Sequence, residues 1–291
     1  MDYCKFTQII HKAVFSDSKL KLLENIAKQP NNYIGLFRPT TPEVKIAQNL
    51  SQSHEIKFGY AFEILVDEYL RDNGCELLDK NITIDGEAKK LDVYIRKNGV
   101  IYFAEQKMRD NHDSTKKQGQ ADDFKKKLLA LFERHKPEKV HGMIFFVDPG
   151  MCKNQAYYKK RLAEIESNNP QLLTSIVYGG EFFDKLGLDK GIWEEIKDHL
   201  VRWQSELPGF PEFNYDANPE ESFTEIKKMS CADFKKMFNN DKISKEIMPI
   251  LFPKCETLDK LVAYWDKKGG MKEREISELV KKHIRERANN V

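Results

Sequence analysis

The sequence of 291 residues lacks the features that mark membrane, secreted and zinc-binding proteins. No apolar stretch approaches the roughly 20 residues that cross a bilayer, so no transmembrane segment is expected. The first residues lack a basic region followed by a continuous apolar run, which predicts no secretory signal. The 5 cysteines are scattered and none forms a C-x-x-C pair, so neither a disulfide framework nor a cysteine zinc site is expected. These absences predict a cytoplasmic protein.

Motifs of other catalytic classes are also missing. The 7 histidines include no H-x-x-x-H pair, so a zinc ion held by histidines is not expected. Tyr178-Gly179-Gly180 follows a predicted strand but lacks the G-x-x-x-x-G-K-[ST] pattern of a phosphate-binding loop. The net charge of +2 is the small difference between 48 basic and 46 acidic side chains. A nucleic-acid-binding face would therefore require these charges to segregate in the fold.

The chain does contain ample material for a folded core. Its 18 Phe, 11 Tyr and 3 Trp exclude intrinsic disorder. The length exceeds the usual size of one hydrophobic core, which predicts either one large domain with an appendage or two domains. We expect a helical N-terminal segment at 1–50, a core at 51–205 and a helical C-terminal region at 206–291, with a proline-rich junction at 206–222.

The predicted core has the element order of an α/β protein. Apolar residues follow helical spacing over 58–70, and Asn73-Gly74 ends that helix. Two β-rich runs, 91–95 and 100–105, are separated by a turn that contains Asn98-Gly99, the strongest short-range hairpin signal. A helix, a buried strand, a second helix and a second strand follow up to about residue 190. This order predicts a sheet flanked by helices.

The predicted hairpin brings together side chains that can hold a metal ion. Asp92 opens the first strand, and Glu105 lies at the end of the second. Lys107 lies on the same face as Glu105, because side chains two positions apart in a strand point the same way. Two carboxylates beside a lysine favour Mg²⁺, which prefers oxygen ligands and can activate water at a phosphodiester.

The spacing of an acid and a lysine is weak evidence without this context. The same acid-x-Lys pattern occurs at 43–45 and 195–197, where no paired strand precedes it. A second acid, Glu63, lies in the apolar face of the preceding helix, and burying an unpaired carboxylate is costly. Singly, each of these residues fits an ordinary surface salt bridge. Together with the element order, they favour a nuclease site.

The joint pattern resembles the PD-(D/E)XK nuclease superfamily, and within it a type II restriction endonuclease. The similarity rests on Gly59, Phe62, Glu63, Val66, Leu70 and Gly74, followed by Asp92 and then by Glu105-Gln106-Lys107. It extends from residue 55 to about 150. Leu91 stands where the proline that names the motif is found, a proline that is often absent in the superfamily.

The resemblance implies a fold and a set of site residues. The fold is a restriction-endonuclease-like α/β core, with a central mixed β-sheet flanked by helices. Asp92 and Glu105 would be metal ligands. Gln106, which lies between Glu105 and Lys107 in the sequence, would be a third ligand. Lys107 would be the catalytic lysine, and Glu63 an accessory acid. The implied cofactor is Mg²⁺.

Polar and basic residues are crowded directly after Lys107. We expect them to project from a loop beside the metal site and to contact DNA phosphates and base edges. A solvated loop leading into a basic helix would have a similar composition. The residues assigned to DNA binding are Arg109, His112, Ser114, Thr115, Lys116, Lys117 and Gln118.

These inferences predict a Mg²⁺-dependent type II restriction endonuclease. Its substrate would be double-stranded DNA with a specific short sequence, cut on both strands by a homodimer whose symmetry matches the site. Two alternatives remain open: a structure-specific repair or recombination nuclease of the same fold, and a non-catalytic DNA-binding protein. A neighbouring methyltransferase gene and discrete DNA fragments are expected of a restriction endonuclease and would distinguish it from the first alternative. The intact set of two acids and a lysine argues against the second.

Overall fold

The computed structural model describes residues 1–15, 18–37, 39–111, 113–207 and 213–288. The chain divides into two compact units. The sheet unit comprises Met1–Ala13 and Lys57–Leu207, and the helical unit comprises Val14–Ile56 and Pro208–Val291. Part of the predicted junction at 206–222 lies outside the described residues.

Among the described residues before the sheet there are three α-helices, and the third runs through the boundary at Lys57. They are α1 (Tyr3–Val14), α2 (Ser18–Lys28) and α3 (Pro42–Asp72). The stretch at 36–45 contains two prolines, a composition that predicts an extended connector. Its second proline, Pro42, instead begins α3, a position where a missing N–H is harmless and a fixed φ angle favours the helix.

In the sheet unit, α3 is followed by a run of consecutive strands, and helices and strands alternate only after this run. Its strands are β1 (Glu76–Leu77), β2 (Asn81–Ile84), β3 (Glu87–Lys90), β4 (Val93–Lys97), β5 (Val100–Lys107), β6 (Lys139–Phe146) and β7 (Leu173–Tyr178). Its later helices are α4 (Ser114–His135), α5 (Gln155–Asn168), α6 (Glu181–Lys185) and α7 (Gly191–Ser205).

Five of these strands form one mixed sheet in the order β1-β4-β5-β6-β7. The strands β1, β4 and β5 pair antiparallel, whereas β5, β6 and β7 pair parallel through the α4 and α5 crossovers. Strands β2 and β3 form a separate two-stranded sheet. The predicted α/β architecture, with a central mixed sheet flanked by helices, is confirmed.

The β4–β5 hairpin forms where the sequence predicts it. Asn98 and Gly99 have φ angles of 51° and 73°, and a tight hairpin turn with two positive φ angles favours this residue pair. The register pairs Lys97 with Val100 and Val93 with Ala104. The ends of the two strands away from the turn therefore lie side by side.

Helices pack on both faces of the sheet. On one face Phe103 of β5 stacks on Phe124 of α4, with ring centroids 5.4 Å apart. On the other face Phe145 of β6 stacks on Phe182 of α6 at 4.3 Å. Gly142 of β6 allows α4 to approach closely, because a Cβ atom there would lie 2.7 Å from the side chain of Leu128. The sheet is consequently buried like that of other α/β proteins.

The polar stretch after β5 differs from its prediction. The sequence predicts a polar stretch at 109–123 that leads into a helix beginning at Phe124, whereas α4 begins at Ser114. The side chain of Asp113 accepts a hydrogen bond from the backbone N–H of Lys116 at 2.9 Å and thereby caps the helix. The prediction relied on apolar periodicity, which the exposed first turns of a helix do not show.

The helical unit contains α2, the first part of α3, and the C-terminal helices. These are α8 (Pro219–Ile226), α9 (Cys231–Phe238), α10 (Met248–Leu251), α11 (Glu256–Lys268) and α12 (Met271–Ala288). Trp265 of α11 packs edge-on against Phe234 of α9, with ring centroids 5.0 Å apart. Within the described ranges, none of the helices is long and apolar enough to cross a membrane.

Candidate active site

The free ends of the β4–β5 hairpin bring three predicted site residues together. Asp92 directly precedes β4, and the register places it beside Glu105 of β5. The ammonium of Lys107 lies between them, 2.8 Å from Glu105 Oε1 and 3.3 Å from Asp92 Oδ2. Strand alternation therefore puts Glu105 and Lys107 on one face, as the sequence predicts.

Gln106 takes part in this arrangement through its backbone. Its N–H donates to Asp92 Oδ2 at 2.8 Å, and its carbonyl oxygen accepts from Lys107 Nζ at 2.9 Å. Its side chain belongs to the opposite face of the strand, and there Oε1 is buried without a hydrogen-bond partner among the described residues. Of the two Gln106 oxygens, the carbonyl is the one beside the carboxylates.

The donor atoms fit a hard divalent cation. Two carboxylate oxygens and one carbonyl oxygen surround a single positive charge, the Lys107 ammonium, at 2.8–3.3 Å. Oxygen ligands of these types are those that Mg²⁺ binds, usually with several waters. The arrangement can therefore hold Mg²⁺ through Asp92, Glu105 and the carbonyl of Gln106.

Lys107 is charged in this environment. Burial acts to lower the pKa of its ammonium, but the carboxylates of Glu105 and Asp92 outweigh burial, and the net pKa is raised. A lysine with a raised pKa stabilises negative charge and does not serve readily as a proton acceptor at neutral pH.

Glu63 lies near these residues but has a different partner. Its carboxylate is 3.6 Å from the ammonium of Lys90, and its side chain is 14% exposed. Burial raises the pKa of Glu63, and the negative charge of Asp92 raises it further. Across the part of the chain that the structure describes, no three His, Cys, Asp or Glu side chains form a group that could hold a metal ion. Glu63 is therefore close enough to feel the charge of Asp92, but it does not complete a three-carboxylate cluster among the described residues.

A lysine that the sequence analysis missed also contacts Glu105. Lys127 of α4 places its ammonium 2.8 Å from Glu105 Oε2 and 2.8 Å from Asp123 Oδ2. Its side chain is only 7% exposed. Lys127 lies among Phe124, Leu128 and the other apolar positions of α4. A charged residue on an apolar helix face is the same signal that identified Glu63, and it was available in the sequence.

Four of the seven residues predicted to bind DNA are exposed in the structure. Arg109 is exposed after β5, and Thr115, Lys116 and Gln118 are exposed on the first turns of α4. Lys117 is half-buried, with its ammonium 3.2 Å from Asn154 Oδ1 and 4.7 Å from the ring centroid of Tyr157. His112 lies outside the described residues, and Ser114 is described only as the first residue of α4.

The segment between the site and α4 is anchored by Asp110, which the sequence analysis also missed. Its fully buried carboxylate accepts hydrogen bonds from the backbone N–H and the side-chain amide of Asn154, at 2.8 and 2.9 Å. A third hydrogen bond comes from the hydroxyl of Tyr178 at 3.0 Å. Burial, followed by the bond to Asp110, raises the pKa of Tyr178, which keeps its hydroxyl a donor. Asp110 thus fixes the path of the chain between Lys107 and α4.

One comparison with known proteins gives a match, over part of the chain. Residues 75–204 match the sequence model of a family described as type II restriction endonuclease, HinfI. No curated protein and no solved structure matches the chain. Asp92, Glu105, Lys107 and Lys127 lie within this range, and Glu63 lies outside it. The resemblance to a type II restriction endonuclease of the PD-(D/E)XK type is confirmed for this part of the chain, and its mixed sheet is a restriction-endonuclease-like core.

Proposed function

We propose that the protein is a Mg²⁺-dependent type II restriction endonuclease. It hydrolyses phosphodiester bonds of double-stranded DNA at a specific short sequence and acts as a homodimer. The observation that carries this proposal is the set of three oxygens around Lys107, from Asp92, Glu105 and Gln106, within the segment that matches the family. The proposed nuclease core is 51–205, with helical regions at 1–50 and 206–291.

Each site residue has a distinct role in this proposal. Asp92, Glu105 and the Gln106 carbonyl would hold Mg²⁺, which activates water and offsets negative charge when bound. Lys107 contributes a second positive charge, which stabilises the charge that develops on the phosphate in the transition state. Glu63, on α3, interacts electrostatically with Asp92 and would adjust the charge of the site as an accessory acid.

The start of α4 is the proposed DNA contact. Exposed basic and polar side chains commonly contact DNA phosphates. Thr115, Lys116 and Gln118 are exposed on the first turns of α4, and Arg109 is exposed just before them. His112, Ser114 and Lys117 complete the proposed set. Because β5 carries Glu105 and Lys107 and leads into this segment, the DNA-contacting residues would follow the active-site residues directly in the chain.

Homodimerisation is proposed from the symmetry of the substrate. A short palindromic sequence presents two equivalent strands, and one active site cuts one strand. Two copies related by a two-fold axis would cut both. Discrete fragments with symmetric ends are the expected product.

The first prediction tests the function itself through its metal requirement. Purified protein with Mg²⁺ or Mn²⁺ should cut plasmid DNA into discrete fragments, and sequencing of the fragment ends should give one short recognition sequence. Excess EDTA should abolish the cleavage, and Ca²⁺ should support binding with little cleavage, because it occupies oxygen sites but polarises water less. An Asp92→Asn variant purified in parallel controls for contaminating nucleases. Cleavage that persists in excess chelator would contradict the proposed function, and random fragments would favour a structure-specific nuclease.

A second prediction concerns the DNA contact at α4. Lys116→Ala should weaken DNA binding in Ca²⁺ and reduce the slope of log affinity against log salt by about one ion. Lys117→Ala should have the same effect on the slope if its ammonium turns from Asn154 toward a phosphate. Fluorescence anisotropy at several salt concentrations measures both quantities. Lys160→Ala, which removes an exposed lysine from α5, is the matched control. An unchanged slope in Lys116→Ala would remove this residue from the interface.

A further inference from the structure

The two carboxylate oxygens of Glu105 have different partners. Oε1 lies 2.8 Å from Lys107 Nζ, within the group of oxygens proposed to hold Mg²⁺. Oε2 lies 2.8 Å from Lys127 Nζ on α4. The side chain of Glu105 is 11% exposed, so water has little access to either oxygen. One oxygen thus faces the site, and the other is bound by a second lysine.

Lys127 is held firmly in this position. Its ammonium also pairs with Asp123, one turn earlier on α4, at 2.8 Å. The stacking of Phe124 on Phe103 fixes this part of the helix against the sheet. A buried ammonium that left Glu105 would lose a charged partner without regaining full hydration, which is costly. The contact between Lys127 and Oε2 is therefore a durable feature of the fold.

We propose that Lys127 restricts Glu105 to a single metal-binding oxygen and thereby makes the site selective for Mg²⁺ over Ca²⁺. Mg²⁺ requires near-octahedral geometry and short bonds. Carboxylates that bind through one oxygen each are compatible with this geometry. Ca²⁺ is larger and readily takes both oxygens of one carboxylate. Lys127 contacts only the ligand, so it is a positioning residue. The inference rests on the proposed function, because it concerns the metal of that same site.

The test is to remove the Lys127 ammonium and measure metal binding directly. Lys127→Met keeps the length and the apolar stem of the side chain but leaves Oε2 free. Isothermal titration of the full chain with MgCl₂ and with CaCl₂ gives the two affinities. We expect the affinity for Ca²⁺ to rise about tenfold relative to that for Mg²⁺, because only Ca²⁺ gains a ligand oxygen. Lys127→Arg, which retains donors for Oε2, should restore the wild-type ratio.

A neighbouring lysine provides the matched control. Lys126 is 41% exposed and pairs with Asp85, away from Glu105. Lys126→Met removes the same charge from the same helix and should leave the ratio of affinities unchanged. An equal rise for both ions in Lys127→Met would show that Lys127 acts only through its charge, and an equal fall would show a merely structural role. Either result would overturn the proposal.

A second measurement does not depend on the variant folding. Difference infrared spectra of the wild-type protein, labelled with ¹³C at the glutamate carboxyls, report whether a carboxylate binds a metal through one oxygen or two. The proposal expects one-oxygen binding with Ca²⁺ as well as with Mg²⁺, and a two-oxygen signal with Ca²⁺ would overturn it. Wild-type protein that cleaves DNA while failing either test refutes only this inference. Wild-type protein that binds neither ion refutes the proposed function as well.

Discussion

Lys107→Ala is expected to slow DNA cleavage by about 10²- to 10³-fold, the effect of removing one preorganised charge from a transition state. The ammonium lies among the oxygens of Asp92, Glu105 and Gln106, where its charge is close to the proposed reaction centre. DNA affinity should change little, because the lysine stabilises the transition state more than the ground state. Single-turnover cleavage in Mg²⁺ and binding in Ca²⁺ measure the two effects separately.

The matched control for this substitution is Lys139→Ala. Lys139 is exposed and begins β6, where it pairs in register with Val100, whereas Lys107 pairs with Phe146 at the other end of the same strand pair. The control should cleave at the wild-type rate. A loss of binding in Lys107→Ala as large as the loss of cleavage would contradict a transition-state role and would place Lys107 among the DNA-contacting residues.

The second large effect is expected at Asp110. Asp110→Ala should lower the free energy of unfolding by about 3 kcal/mol, because it removes the acceptor of three buried hydrogen bonds from Asn154 and Tyr178. Urea-induced unfolding of the full chain measures this change. The substitution should also weaken DNA binding, since Asp110 fixes the chain that leads to α4.

Tyr178→Phe is the graded control for this prediction. It removes one of the three hydrogen bonds to Asp110 and leaves the carboxylate bonded to Asn154, so a loss of about 1 kcal/mol is expected. Equal losses for the two variants would show that Asp110 stabilises the fold mainly through Tyr178. A negligible loss in Asp110→Ala would show that the segment is held by other contacts.

Local patterns in the sequence predicted the part of the fold that carries the site. The turn at Asn98-Gly99 defined the hairpin, and the alternation of β5 put Glu105 and Lys107 on one face. Both inferences needed only neighbouring residues, because strand period and turn geometry are local properties. The predicted start of α4 was wrong because the prediction relied on apolar periodicity. The first turns of α4 face solvent and show no such period, although the capping residue Asp113 is visible in the sequence.

The two residues that were missed depend on contacts between distant parts of the chain. Lys127 reaches Glu105 across 22 positions, and Asp110 reaches Asn154 across 44. Each pairing exists only after β5 and β6 have paired in parallel through the α4 crossover. The spacing of residues along the sequence does not predict that pairing. A charge on an apolar helix face indicates that a partner exists, but it does not indicate which residue the partner is.

Because Gly142 has no Cβ atom, it affects both the packing of the sheet and the position of Lys127 beside the proposed metal site. A Cβ atom at this position would lie 2.7 Å from Leu128, so the glycine sets how closely α4 approaches β6. Lys127 is the neighbour of Leu128 on that helix, and its reach to Glu105 depends on the same separation. Among related sequences, a larger residue at the position of Gly142 should therefore occur together with a smaller one at the position of Leu128. Such paired variation would identify relatives that preserve the lysine contact even where the surrounding sequence has diverged.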